Sequence, residues 1–186
     1  MIANVLSIAG TDPSGGAGIQ ADIKAFSAMG AYACSVVTAV VAQNTRGVRS
    51  VRAMDPGFVA EQIDAVFEDV RIDAVKIGMI ANAGIARTVA DRLRHHGATQ
   101  VVLDPVMVAK SGHALLDPEA VAVLREELIP LAKVITPNLP EAAVLLGRRG
   151  DWTEAAMRDA LPALLAMGAD WVLLKGGHLA RSAEST

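Results

Sequence analysis

Aromatic residues and cysteine are scarce in this sequence. Phe, Trp and Tyr make up 3% of the 186 residues, and Cys34 is the single cysteine. So few rings leave little with which to stack single-stranded nucleic acid. One cysteine can form neither an internal disulfide nor a thiolate metal cluster. Cys34 lies in an apolar stretch, which favours a buried filler role, and this cysteine usage leads us to expect a cytoplasmic protein.

Long hydrophobic runs and an excess of positive charge are also missing. No apolar stretch approaches the roughly 18–20 residues that span a bilayer, and residues 1–4 lack the basic start of a secretory signal. The formal net charge is -3, and no run of lysine or arginine could follow a phosphate backbone. We therefore expect no nucleic-acid partner and no membrane association.

The residues that are abundant predict an α/β fold. Hydrophobic residues make up 52% of the chain, mostly aliphatic, which suits strands covered on both faces by helices. Strand candidates are residues 5–9, 32–41, 74–78, 101–103, 134–135 and 171–174, and helices are expected to begin near Gly18, Pro56, Asn82, Pro118 and Thr153. Asp55, Asn82 and Thr153 are the predicted N-caps. This alternation predicts one domain over residues 1–186, with a mainly parallel sheet between two helical layers.

Polar clusters follow the predicted strands. They occupy residues 10–18, 43–44, 104–105, 136–141 and 175–178. In open parallel sheets, ligands bind outside the carboxyl ends of the strands. The clusters are therefore candidates for one shared site.

The first cluster is rich in glycine. Residues 16–21 (GAGIQA) match the G-x-G-x-x-A form of the dinucleotide fingerprint. Two features oppose that interpretation: the glycines come several residues after the strand, and no Asp or Glu ends the next strand. We rank close approach of a ligand to the backbone first, a plain turn second and dinucleotide binding third.

The other clusters carry amides and charges, each with a simpler alternative. Gln43 offers a donor and an acceptor to the edge of a nitrogen heterocycle, or it is a solvated turn residue. Glu141, with Asp104, could bind a hydrated Mg²⁺, or it could only favour the start of a helix. Lys175 beside two glycines suits an anion. No G-x-x-x-x-G-K-[ST] motif is present, so a nucleotide site would not be of the P-loop type.

Taken in order, these motifs resemble a known family. Residues 9–22 (AGTDPSGGAGIQAD) are similar to the N-terminal signature of hydroxymethylpyrimidine kinases. Residues 41–45 (VAQNT), 76–79 (KIGM), 104–107 (DPVM), 136–141 (TPNLPE) and 175–178 (KGGH) continue the resemblance. It spans essentially the whole chain and implies a ribokinase-like three-layer α/β/α sandwich.

The resemblance also implies an activity and a set of site residues. The activity is phosphorylation of hydroxymethylpyrimidine, and of its monophosphate to the diphosphate, in thiamine biosynthesis, with ATP and Mg²⁺ and in a homodimer. The implied substrate-binding residues are Gln43, Gly10, Ala17, Asp22, Met79 and Val106. Asn138, Thr136 and Lys175 would bind the nucleotide, Lys175 also acting in catalysis, and Glu141 and Asp104 would hold the metal.

One part of the family pattern has no match. Members continue to a Gly-Thr-Gly-Cys or Gly-Thr-Gly-Asp segment that supplies an anion hole and a catalytic base, and no such segment occurs here. We therefore expect a longer kinase of which this chain is the front part. Pyridoxal kinase is the alternative activity, and a non-catalytic pyrimidine-binding protein is the alternative if the chain ends at Thr186. A substrate-closing loop is suggested at residues 110–112.

Overall fold

The computed structural model describes residues 2–107, 116, 118–148, 151–177 and 179. The suggested loop at residues 110–112, and His178, lie outside the described residues. The strands are β1 (Asn4–Ala9), β2 (Tyr32–Val37), β3 (Ala39–Asn44), β4 (Gly47–Ala53), β5 (Ala74–Ile77), β6 (Val101–Leu103), β7 (Val134–Ile135) and β8 (Trp171–Val172). The helices are α1 (Gly18–Ala28), α2 (Pro56–Asp69), α3 (Ala83–His95), α4 (Pro118–Val123), α5 (Leu139–Leu146) and α6 (Glu154–Leu165). Helix α4 continues as a π-helical turn, Leu124–Leu128, and a 3-10 turn, Ile129–Leu131.

Six strands form one parallel sheet in the order β2-β1-β5-β6-β7-β8. Leu6, Ile8, Ile77, Leu103 and Ile135 are fully buried and belong to the main core, together with apolar side chains of α2, α3 and α4. Each fully buried side chain of this size stabilises the fold by roughly 1.5–3 kcal/mol relative to exposure. This face of the sheet therefore anchors the domain.

Helix α1 covers part of the opposite face. It packs on β1 and β2, and its Asp22 side chain contacts Ser7 of β1 and Lys76 of β5. Helices thus lie on both faces of a parallel sheet, and the predicted α/β class is confirmed. Because all six strands run the same way, their carboxyl ends meet at one edge.

One predicted strand is two strands in the structure. Residues 32–41 divide at Thr38 into β2, which joins the main sheet, and β3, which pairs antiparallel with β4. Thr38 is fully buried, its N–H donates to the Ala9 carbonyl (3.0 Å), and its hydroxyl donates to the Met79 carbonyl (2.6 Å). These long-range bonds turn the chain out of the sheet, so the predicted single strand is wrong.

The three predicted helix caps are confirmed. Asp55 Oδ1 accepts from the Phe58 N–H at 3.1 Å, and Asn82 Oδ1 accepts from the N–H three residues later at 2.9 Å. Thr153 Oγ1 likewise accepts from the Ala156 N–H at 3.1 Å. Each cap satisfies a backbone donor that has no partner inside its helix.

Membrane crossing has no support in the helices described. Among the residues that the structure describes, no helix combines the length and the apolar character of a membrane span.

Candidate active site

Seven of the eleven predicted site residues lie at the carboxyl edge of the parallel sheet. Gly10 follows β1, Met79 follows β5, and Lys175 lies three residues after β8; Asp104 and Val106 follow β6, and Thr136 and Asn138 follow β7. Neighbouring strands lie about 4.8 Å apart. The edge therefore presents a row of side chains from successive strands.

Lys175 and Asp104 form an ion pair at this edge. Lys175 Nζ lies 2.7 Å from Asp104 Oδ1, which also accepts from the Thr136 hydroxyl at 3.1 Å. The backbone fixes the lysine, whose N–H donates to the Pro137 carbonyl at 2.8 Å and which forms a parallel bridge with Asn138. The side chains of Lys175 and Asp104 are 40% and 27% exposed, so an incoming ligand can reach both groups.

Asn138 and Glu141 form a capping box at the start of α5. Asn138 Oδ1 accepts from the Glu141 N–H at 2.9 Å, and Glu141 Oε2 accepts from the Asn138 N–H at 2.8 Å. The simpler alternative for Glu141, a helix-start role, is therefore present in the structure. Its predicted metal role stays a prediction.

The Glu141 carboxylate is buried, with 3% of the residue exposed. Burial raises its pKa, and the negative charge of Asp104 acts in the same direction. Backbone hydrogen bonds from Asn138 and Met107 and the charge of Lys175 oppose that rise. Asp104 and Glu141 are thus close enough to repel each other, and the Lys175 ammonium is a positive charge that acts on both.

This donor set fits a divalent cation held jointly with phosphate. Among the described residues, no three His, Cys, Asp or Glu side chains are grouped closely enough to hold a metal by themselves. Mg²⁺ needs only one or two carboxylates when phosphates and waters supply its other ligands. Asp104 is the more accessible of the two carboxylates, and within the described chain its Oδ2 accepts no hydrogen bond.

The glycine-rich loop is organised by Asp12, which sequence reasoning did not single out. Its Oδ1 accepts from the Ser14 N–H and hydroxyl at 2.9 and 2.7 Å, and its Oδ2 accepts from the Gly16 and Ala17 N–H groups at 3.0 and 2.8 Å. Gly18 has φ +57, and a Cβ there would collide with the Gly10 carbonyl. In the sequence, the glycines that follow Asp12 could have indicated this role, since short acidic side chains commonly accept hydrogen bonds from the backbone of the residues that follow them.

Asp12 is held ionised by these donors. Burial would raise its pKa, but hydrogen bonds from the Ser14 side chain, the Gln43 side chain and the backbone of Ser14 and Ala17 lower it to about 2. An ionised carboxylate only accepts, so the loop N–H groups at Gly16 and Ala17 face Asp12. The loop glycines allow two segments of the chain itself to pack closely against each other. The predicted contact of Ala17 with a ligand stays a prediction.

Gln43 lies beside this loop on the β3–β4 hairpin. It lines a pocket of about 240 Å³ with Pro13, Ala42, Asn44 and Arg49. The hairpin register shifts between Ala42 and Gln43, and such bulges re-aim side chains near binding sites. The Thr11 N–H and hydroxyl bond the β3 backbone, so the loop and the hairpin form one wall.

Met79 and Gly10 form a second wall of the same region. A Cβ on Gly10 would collide with Met79 Cε, so the methionine lies directly against the glycine. Asp22, predicted to contact substrate, is paired with Lys76 at 2.8 Å. Val106 is half-buried after β6.

A larger pocket, of about 270 Å³, lies at the opposite edge of the sheet. Its lining includes Phe67, Arg71, Asp73 and His96. It sits where β5 and β6 begin, away from every predicted site residue. The carboxyl edge is therefore the better candidate on chemical grounds.

Comparison with known proteins identifies the family to which the chain is similar. The family described as phosphomethylpyrimidine kinase matches residues 12–186. The chain is 61% identical over 176 residues to hydroxymethylpyrimidine/phosphomethylpyrimidine kinase of Escherichia coli strain K12, covering 95% of this chain and 66% of the relative. The chain thus spans slightly less than two thirds of the length of that curated relative.

Solved structures show the same fold. Phosphomethylpyrimidine kinase from Clostridium difficile 630 superposes with a TM-score of 0.90 at 46% identity, over 97% of this chain and 78% of the other. Pyridoxal kinase of Bacillus subtilis, in an ADP complex, superposes with a TM-score of 0.87 at 35% identity, over 97% and 68%. The predicted ribokinase-like fold is confirmed, and the chain belongs to the phosphomethylpyrimidine kinase family.

Proposed function

We propose that the protein phosphorylates the hydroxymethyl group of hydroxymethylpyrimidine, and then the resulting monophosphate, in thiamine biosynthesis. The observation that carries this proposal is the Lys175–Asp104 pair at the carboxyl edge of the sheet, together with the pocket that Gln43 lines on the neighbouring hairpin, in a chain of this family. ATP is the phosphoryl donor and Mg²⁺ its partner ion.

The ring-binding end of the site would be built around β1, β5 and the hairpin. Gln43 would pair with the polar edge of the pyrimidine, since an amide can donate and accept at adjacent ring positions. Met79 and Val106 would pack against the ring faces, and Gly10 leaves the space in which Met79 lies. These contacts suit a small, flat, mostly neutral ligand.

The phosphate end would be built around β6, β7 and β8. Lys175, which pairs with Asp104 in this structure, would stabilise negative charge on the transferring phosphoryl group. Asn138 and Thr136 would orient the nucleotide phosphates, and Asp104 with Glu141 would hold Mg²⁺. The ion would neutralise phosphate charge when bound.

Steady-state kinetics test the proposal. The kcat/KM for hydroxymethylpyrimidine is expected to exceed that for pyridoxal by at least about tenfold, because a site that pairs with a ring amino group rejects analogues that lack it. Pyridoxal kinase is the second candidate, supported by the Bacillus subtilis structure at 35% identity. A clear preference for pyridoxal would reverse the assignment.

Two further properties belong to the same proposal. We infer that the protein is cytoplasmic and forms a homodimer. Light scattering of the purified protein would measure its mass in solution and so test the dimer. If the protein binds the pyrimidine in calorimetry but transfers no phosphate from ATP, the non-catalytic binding alternative replaces the kinase.

A further inference from the structure

Three polar side chains form a cluster between helix α1 and the sheet, away from the main core. Ser7 Oγ donates to Asp22 Oδ2 at 2.6 Å, and Lys76 Nζ donates to Asp22 Oδ1 and Oδ2 at 3.0 and 2.8 Å. Ser7 is fully buried, and the side chains of Lys76 and Asp22 are 22% and 16% exposed. Three hydrogen bonds from two strands thus fix one carboxylate.

The free energy of folding alone does not explain why an ion pair occupies this position. Withdrawing a lysine and an aspartate from water costs about as much as their attraction returns, and apolar side chains of similar volume often serve as well. Within the described residues, the charged side chains that are fully buried are Asp12 and Glu141, and both belong to the carboxyl edge. A charged pair that is mostly withdrawn from water beside that edge is a candidate for a role in recognition.

The cluster lies next to the carboxyl edge of the sheet. Gly78 is the first residue after β5, and a Cβ there would lie 3.0 Å from both Lys76 Nζ and Ala9 Cβ. The lysine side chain therefore extends along the sheet to the level at which β1 and β5 end. Gly10 and Met79, which form one wall of the candidate site, are the next residues along the chain on these strands.

We propose that Lys76 is a positioning residue for ring recognition: with Ser7 it holds Asp22 as a fixed hydrogen-bond acceptor beneath the ring-binding end of the site. The role rests on the proposed function, because the ligand it serves is a heterocycle that carries an amino group. Asp22 has about four acceptor positions, and within the described part of the chain Ser7 and Lys76 fill three of them. One position is left for an N–H of the ligand, and the lysine prevents the carboxylate from rotating away.

Calorimetric binding of 4-amino-5-hydroxymethyl-2-methylpyrimidine tests the role directly. Lys76→Met is expected to weaken binding about tenfold, the size expected for loss of one well-placed charged hydrogen bond. Lys76→Arg keeps the charge and two donors and is expected to retain most of the affinity. Lys133→Met is the matched control, because Lys133 lies just before β7, at the amino edge of the sheet, and its side chain makes no bond among the described residues. The Lys133→Met variant should bind the pyrimidine with the affinity of the wild type.

A double-mutant cycle separates positioning from general stability. In an Asp22→Asn background, Lys76→Met should cause no further loss of affinity, since the lysine acts through the aspartate. A further tenfold loss in that background, or unchanged affinity in the single Lys76→Met variant, overturns the role. If Lys76→Met fails to fold by circular dichroism, Ser7→Ala decides: affinity reduced about threefold supports the role, since one of three anchoring bonds is lost, and unchanged affinity overturns it.

Failure of the proposed function has a different signature. A wild-type protein that does not bind the pyrimidine overturns the function and this role together. A wild-type protein that binds it while both Lys76→Met and Ser7→Ala bind equally well overturns this role alone.

Discussion

Replacement of Asp12 by asparagine tests how the glycine-rich loop is held. Four of the hydrogen bonds that the carboxylate accepts, 2.7–3.0 Å long, come from Ser14, Gly16 and Ala17. The asparagine side chain could still accept at its oxygen, but its amide nitrogen would face two donors. Leaving buried donors unpaired costs about 1–3 kcal/mol.

The lowered pKa of Asp12 expresses the effect of these hydrogen bonds as a dependence of stability on pH. Its fall from 3.8 to about 2 corresponds to about 2 kcal/mol of stabilisation of the folded state, at 1.36 kcal/mol for each pH unit. Because the folded-state pKa is the lower one, this stabilisation is complete above pH 3.8 and is lost as the pH falls through about 2. Both ways of expressing the effect give about 2 kcal/mol at neutral pH.

Urea unfolding at pH 7 and pH 3 measures the free energy of unfolding and its dependence on the charge of Asp12. Asp12→Asn should lower the free energy of unfolding by about 2 kcal/mol at pH 7, and the difference from wild type should shrink by about 1 kcal/mol at pH 3. Asp170→Asn, which removes an exposed carboxylate that makes no bond among the described residues, is the control and should change little at either pH. Equal destabilisation by Asp12→Asn at both pH values would refute a role for the charge.

Three further predictions concern the proposed kinase site. Gln43→Ala should weaken capture of the pyrimidine by about 1–3 kcal/mol because the ring's polar edge goes unpaired; an unchanged kcat/KM would remove Gln43 from the site. Lys175→Met should lower kcat far more than it alters pyrimidine affinity, since the charge is needed where phosphate charge develops; equal effects on both would mean a ground-state or structural role. Gly10→Ala should push Met79 out of position and weaken pyrimidine binding with little loss of thermal stability, because the methionine end is flexible; a calorimetric affinity equal to that of wild type would contradict the placement of Met79 as a pocket wall.

The sequence was sufficient for features that depend on neighbouring residues. The caps at Asp55, Asn82 and Thr153 each bond an N–H three residues ahead, so the pattern is visible in a short window. The parallel sheet and the position of the polar clusters followed from the alternation of apolar runs.

Features that depend on distant contacts were not predictable in this way. The end of β2 at Thr38 is set by bonds to Ala9 and Met79, and an apolar run continues through it in the sequence. The pairing of Asp22 with Lys76 joins residues 54 positions apart. The family resemblance supplied Asp22 as a site residue, but it did not supply the partner that orients it.

The direction in which the N–H groups of the glycine-rich loop point bears on which end of the proposed site binds phosphate. The Gly16 and Ala17 N–H groups face Asp12, so these donors of the glycine-rich loop are not available to bind an anion. Lys175, an exposed cation among the described residues of the carboxyl edge, lies after β8, whereas Gly10 and Met79 lie after β1 and β5. In the sheet order, β8 is three strands from β5, or about 14 Å at the usual strand spacing. Under the proposed function, a ring held near β5 would direct its hydroxymethyl group along the edge toward Asp104 and Lys175, and so toward the proposed nucleotide site at β7 and β8.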